Sequence, residues 1–465
     1  MPRVLLRRIH RVEHGLRLQT DHSSHRRATL AERMAFHSVP GVSIAVINDG
    51  QIEWAKGYGV REVGKPAPVT TDTLFQACSI SKAVTAVAVL RLAQDGRLDL
   101  DEDVNRYLVN WQVPSNGWWQ PRVTLRQLLT HSAGISLPWS AGYHPDQEIP
   151  TLADVLDGAK PSNYPGIRVT AMPGLHFRYS GGGYCILQQL LMDMLGQPFP
   201  ALMQELVLEP CDMHHSAFAQ PLAPERWQVA AIGHRSGGEP VAGKWRIYPE
   251  LAAAGLWTTP SDLARLAINL QAARGGSTTG VLAPAMVEQM LTRQIAGDER
   301  GNMGLGVFLE GSGPASYFGH PGDNEGFTGR WLMHTTSGRG AVVLTNSDAG
   351  WVLQDEILAA VATEYNWPDR TLGHGAASLP SGSDERLQGE YELRSGLMLR
   401  VSREEPSLLL HAPHESSIML IPAGEAVFRL GGTDSSIEFV RQANGRVAAL
   451  ILYQEGSAML ALRRR

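Results

Sequence analysis

Thr73-Leu-Phe-Gln-Ala-Cys78 leads through Ser79-Ile80-Ser81-Lys82 into Ala83-Val-Thr-Ala-Val-Ala-Val-Leu90, a strand-to-loop segment feeding a helix that is small or apolar on nearly every face. A helix apolar all round is a buried one. Arg91 ends its apolar run far short of the ~20 residues that span a bilayer. Ser79 stands at the helix N-terminus, the positive end of the dipole. Lys82, one turn on, shares its face. Serine is a poor nucleophile until a neighbour accepts its proton, and desolvation moves a lysine toward that ability. The same residues also fit an N-cap serine and a lysine that snorkels to water. Lysine is scarce, at positions 56, 65, 82, 160 and 244, and only Lys82 has a serine three residues before it.

Two further clusters have the same mixture of glycine and proton-transfer groups. His176-Phe-Arg-Tyr179-Ser-Gly181-Gly-Gly183-Tyr184 precedes another apolar helix, where the glycines permit close backbone approach and Tyr179 can share protons with Lys82. Phe318-Gly-His320-Pro-Gly322-Asp323-Asn-Glu-Gly326 lies on or beside an expected edge strand. There His320 can donate to a substrate carboxylate or orient Tyr179. Gly322 leaves room for substrate along the strand, and the Asp323 N–H can point into an oxyanion hole. Taken singly, each cluster also reads as ordinary packing.

The 465 residues suggest about two to three domains. Hydrophobic residues at 43% and charged ones at 19% are globular values that exclude wholesale disorder. A net charge of −5 gives no electrostatic case for nucleic acid as partner. Cys78, Cys185 and Cys211 are widely spaced and form neither a disulfide framework nor a zinc motif. His214-His215 lacks further ligands at metal spacing, so neither metal nor cofactor is expected. Ser132, in Thr130-His-Ser-Ala-Gly134, misses the first glycine of a nucleophile elbow and reads as structural; Cys78 reads as a small buried filler. The basic N-terminus has Leu5, Ile9, Val12 and Leu16 at helical spacing, a surface helix docked on the body and not a membrane anchor. With no signal-type segment in the chain as written, the cytoplasm is the expected compartment, unless a signal lies upstream.

Val42–Ile47 and Glu53–Tyr58 flank Asn48-Asp-Gly50, a hairpin signal. Helical text follows to about residue 270. Strands return at Tyr317–His320, Gly326–His334 and Gly340–Leu344, before an amphipathic helix near Val352–Tyr365. Strands at both ends with helices between imply an α+β fold: an antiparallel sheet flanked by helices, with a helical subdomain. Residues 373–383 have linker chemistry, and eight short strand-like runs at roughly ten-residue spacing follow, a small all-β barrel or sandwich. The expected division is 1–372, linker 373–383 and 384–465. Trp111, Trp118, Trp119, Trp139 and Tyr143 crowd loops that can roof an apolar acyl site or simply pack.

The order serine-x-x-lysine, tyrosine, then His-x-Gly resembles the class C β-lactamase-like superfamily, above all the β-lactamase-related serine hydrolases that include family VIII esterases and D-aminopeptidases. The resemblance covers roughly residues 5–366. It includes Val39-Pro-Gly-Val-Ser-Ile-Ala45, Leu128-Leu-Thr-His-Ser-Ala-Gly-Ile135 and Ala252-Ala-Ala-Gly-Leu-Trp-Thr-Thr-Pro260-Ser-Asp-Leu263. The C-terminal strands resemble the lipocalin-like domain some members append. The resemblance implies that Ser79 is acylated, that Lys82 and Tyr179 transfer protons, and that the N–H groups of Ser79 and Asp323 form the oxyanion hole. It puts His320 and Gly322 in place of a Lys-Thr-Gly strand. Gly181 replaces the asparagine of the commoner Tyr-x-Asn, removing an amide that binds the acyl-side carbonyl. With the lysine also replaced, weak or no β-lactamase activity is expected. The implied function is a metal-independent carboxylesterase or D-amino-acid amidase or peptidase acting on a small ester, amide or D-peptide, possible as a homo-oligomer. The competing reading is a non-catalytic ligand-binding or peptidoglycan-sensing protein.

Overall fold

A computed structural model describes residues 3–17, 27–137, 140–298, 300–311, 316–368, 387–393, 397–404, 407–411, 418–422, 427–430, 436–442, 446–454 and 457–464. The described residues fall into two compact units, one up to Pro368 and one from Leu387 onward. The expected linker, 373–383, and Trp139 lie outside the described residues.

The first unit is built on an eight-stranded antiparallel sheet. Its strands run, edge to edge, Gln51–Gly59, Gly41–Asn48, Gly340–Thr345, Phe327–His334, Tyr317–Asn324, Phe308–Glu310, Gly301–Met303 and Ile295–Asp298. The chain's two halves meet where Gly340–Thr345 pairs with Gly41–Asn48, so the sheet is closed by residues three hundred positions apart. The hairpin turns at Asp49 and Gly50, both at positive φ, the geometry that an Asp-Gly pair supplies for two-residue hairpins.

Helices cover both faces of the sheet, which explains why Val42–Ile47 shows no polar alternation. Val42, Ile44 and Val46 pack with Ile9, Val12, Leu353 and Ile357 of helices Arg3–Glu13 and Gly350–Glu364. Ala45 and Ile47, pointing the other way, join Ile80, Val84 and Leu263 of helices Ile80–Gln94 and Pro260–Arg274. The N-terminal helix thus docks as its spacing predicts, and Arg8 and Arg11 pin it to Glu53 and Glu364. Beyond the second face, helices Leu125–Leu129, Leu152–Asp157 and Gly181–Leu195 form the helical subdomain. No helix among the described residues is long and apolar enough to cross a membrane.

A small sheet delivers the serine. Phe75–Gln76 pairs with Leu256–Thr258, Phe75 opposite Thr258 and Gln76 opposite Trp257, and Leu256–Thr258 also pairs with Ala217–Phe218. The second unit is a closed eight-stranded barrel, from Gly389–Leu393 to Ser457–Arg463, whose first and last strands pair. Alternate side chains, among them Tyr391, Leu399, Val401, Leu410, Phe428 and Phe439, fill its interior.

Candidate active site

Ser79 occupies the N-cap position of Ile80–Gln94 with helical dihedrals and its side chain makes no capping bond. Its hydroxyl instead accepts a hydrogen bond from Lys82 Nζ at 2.9 Å. Lys82 is 3% exposed, so it does not snorkel; Nζ also donates to the Ala253 carbonyl at 2.9 Å. The helix's other buried polar residues bond to the same strip: Thr85 Oγ1 donates to the Ala252 carbonyl at 3.2 Å, and Ser81 Oγ accepts from the Leu256 N–H at 3.0 Å. Polar groups are tolerated in this buried helix because Ala252–Leu256 satisfies each of them.

The residue before Ser79 carries strain. Cys78 has φ of 54°, a left-handed conformation that L side chains seldom adopt. Its buried thiol donates toward the Gln76 and Phe327 carbonyls at 3.3 and 3.4 Å, and burial pushes it well above the usual thiol range. It is a filler, as read, and it holds the turn that aims Ser79.

Tyr179 precedes the glycine-rich start of Gly181–Leu195. Ser180 caps that helix by accepting from the Gly183 N–H at 3.2 Å, and donates to the Ser136 carbonyl at 2.8 Å. A Cβ on Gly182 would lie 2.5 Å from that same carbonyl, so glycine there is a packing requirement. Gly181 opens the helix. The Tyr179 ring lies with its centroid 5.0 Å from Lys82 Nζ, 4.2 Å from the His131 ring and 6.2 Å from the His320 ring. Ser79, Lys82, Tyr179 and His320 are therefore brought into one place from three separate stretches of chain.

His131 was not foreseen as part of this group, although it sits within one of the phrases that carry the resemblance. It is buried, its Nδ1 accepts the Ser180 N–H at 3.1 Å, and it packs under Tyr179. Burial, reinforced by the nearby Lys82 charge, pushes its pKa well below the usual range.

His320 is also neutral, for the same two reasons. Its Nδ1 donates to the Pro321 carbonyl at 2.5 Å, leaving Nε2 buried as a lone pair with no hydrogen-bond partner in the structure. In this tautomer the ring offers an acceptor, not the donor to a substrate carboxylate that the sequence suggested. Gly322 differs from expectation too. A Cβ there would lie 2.5 Å from the Ala77 carbonyl and 3.1 Å from Cys78 Cβ, so its missing side chain admits the turn before Ser79. Asp323 follows it, exposed, opposite Thr328 in the strand register.

Among the described residues, the aromatic loop side chains are differently placed. Tyr143 is buried with its backbone paired to Ile247, Trp111 and Trp119 pack against the core, and Trp118 is 97% exposed. Ser132 bonds to Thr130 at 2.9 Å and is structural, as read. Two other residues went unnoticed in the sequence. Arg300 lies over Tyr179, its Cζ 4.5 Å from the ring centroid. Glu250 is 1% exposed, and burial pushes it up to about 7, opposed by a hydrogen bond to Ser140 and by the Lys82 charge. Among the described residues, only His10, Glu13 and His14 cluster as metal ligands would, on the N-terminal helix and outside this site.

Compared with known proteins, residues 26–363 match the Beta-lactamase family. Protein flp of Staphylococcus aureus (strain N315) is 30% identical over 224 residues, 48% of this chain. The chain spans only 42% of that relative's length. A solved structure of SurE with D-Leu superposes with a TM-score of 0.60 at 25% identity, covering 93% of this chain and 97% of its own. The octameric penicillin-binding protein homologue from Pyrococcus abyssi gives 0.63 at 25% identity, covering 93% and 98%.

Proposed function

The chain belongs to the Beta-lactamase family, a family of serine hydrolases, and on that premise we propose that it works through an acyl-enzyme on Ser79. The observation that carries this reading is the 2.9 Å contact between Lys82 Nζ and Ser79 Oγ, with Tyr179 alongside. Ser79 attacks a carbonyl while Lys82 and Tyr179 take its proton. Tyr179 returns a proton to the leaving group, and water then releases the acyl group. The N–H groups of Ser79 and Asp323 are assigned to the developing oxyanion.

Small carboxylic esters and D-amino-acid amides or peptides are the proposed substrates, with β-lactams slow or merely acylating. The SurE structure with D-Leu supports the D-amino-acid branch, and the missing amide at Gly181 argues against efficient lactam turnover. The octameric Pyrococcus homologue supports assembly into a homo-oligomer. The barrel, read as lipocalin-like, is assigned to assembly or substrate gating.

Incubation with a fluorophosphonate followed by mass spectrometry tests the reading. An adduct on Ser79, absent in Ser79→Ala, is expected; an unlabelled wild-type protein would favour a non-catalytic binder. A panel of short-chain esters, D-alanyl amides and a chromogenic cephalosporin then ranks the substrates.

A further inference from the structure

The outermost hairpin of the large sheet, between Ile295–Asp298 and Gly301–Met303, sends one side chain into the site. Arg300 is only 17% exposed. Its Nε donates to both Asp298 carboxylate oxygens at 3.1 and 3.0 Å, its terminal nitrogen donates at 2.5 Å, and its own N–H donates at 3.0 Å. So held, the guanidinium lies 4.5 Å from the centroid of Tyr179 and 4.9 Å from that of Phe308, whose rings are themselves stacked at 6.4 Å. A planar cation over an aromatic face both steadies the ring and imposes a field on it.

Groups that face Tyr179 come from several elements, and the Asp298 carboxylate stands behind one of them, Arg300. Lys82 belongs to the nucleophile helix, His131 follows Leu125–Leu129, Tyr184 shares the helix after Tyr179, His320 lies on the Tyr317–Asn324 strand, and Arg300 tops the hairpin. Burial and the Lys82 charge hold both imidazoles well below the usual histidine range, with Arg300 a smaller cause in each case, and Asp298 is the carboxylate paired with that guanidinium. Among the described residues, Lys82 and Arg300 are the side-chain cations that lie over the Tyr179 ring.

We propose that Arg300 is a positioning residue for Tyr179, holding the ring by a cation–π contact and supplying a fixed positive charge that favours the phenolate form as the proton leaves Ser79. The inference rests on Tyr179 being a proton-transfer partner. Its substrate-independent character means any ester that acylates Ser79 can report on it.

The pH profile of kcat/KM for a p-nitrophenyl ester, measured on the full chain, is the test. Arg300→Gln keeps a planar group but removes the charge. Its ascending limb should move up by about one pH unit, giving roughly a tenfold loss at pH 7 while the high-pH plateau stays within about threefold. Arg300→Lys should restore most of the limb. A uniform loss at every pH, an unchanged profile, or a Lys variant no better than Gln would each overturn the proposal; Arg300→Met serves if the Gln variant does not fold. Tyr179→Phe separates the two levels. If it retains full activity, the role of Tyr179 falls. If it is inactive while Arg300→Gln matches wild type, only the Arg300 inference falls.

Discussion

Lys82 meets Ser79 across one helical turn, Nζ to Oγ at 2.9 Å, while the Ala253 carbonyl holds the same amine at 2.9 Å from another segment. The amine is therefore held from two sides, and the proposed acylation calls on its proton affinity. Lys82→Arg keeps a positive donor that cannot shed its proton near neutrality. Acylation should fall by about 10²–10⁴, measured as the rate of fluorophosphonate labelling of Ser79. Near wild-type labelling in that variant would rule out Lys82 as the base.

Gly322→Ala tests the contact between the strand and the turn that precedes Ser79. The new Cβ would lie 2.5 Å from a backbone carbonyl, which no rotamer change relieves. We expect a loss of about 1–3 kcal/mol in denaturant melts and a drop in kcat/KM, because the displaced Ala77–Cys78 segment precedes Ser79 directly. A variant as stable and active as wild type would show the approach to be slack.

His131 and His320 bind a proton less readily in the folded protein than when unfolded. Their contribution to stability is therefore complete above the ordinary histidine range, near 6.5, and is lost as pH falls below it. His131→Asn retains an acceptor for the Ser180 N–H without the titration. Thermal melts from pH 8 to pH 5 should show a smaller loss for this variant than for wild type; parallel curves would contradict the assignment.

Glu250 works in the opposite direction. Its folded pKa is raised from the usual carboxylate range to about 7, so stability is complete below about 4.5 and declines as pH rises through about 7. The full effect is on the order of 3 kcal/mol. Glu250→Gln should therefore gain on wild type steadily between pH 5 and pH 8 in melts. A constant difference across that range would mean the carboxyl is ionised throughout.

Much of the fold was legible because burial writes a plain pattern. The run Val42–Ile47, apolar but for Ser43, marks a strand covered on both faces, and Asp49-Gly50 marks its turn. The eight short C-terminal runs correspond to eight barrel strands. The serine, lysine and tyrosine were legible because each precedes or enters an apolar helix where a polar group needs a reason. Arg300 was hidden for the converse reason: among 36 arginines, obtained as 41 basic residues less five lysines, one on a hairpin looks like ordinary surface charge. Gly322 was placed correctly in the chain, but sequence does not tell which way an absent Cβ would point. His320 likewise shows its tautomer only through Pro321.

One short ribbon, Ala252–Leu256, anchors the serine helix through Ser81, Lys82 and Thr85. Loop exchange elsewhere, for example across 113–120 or 140–149, leaves these three tethers untouched. Directed evolution of new acyl preferences can thus diversify the surrounding loops heavily while the proposed catalytic group stays in register, whereas changes that displace the ribbon's backbone should impair every library member alike.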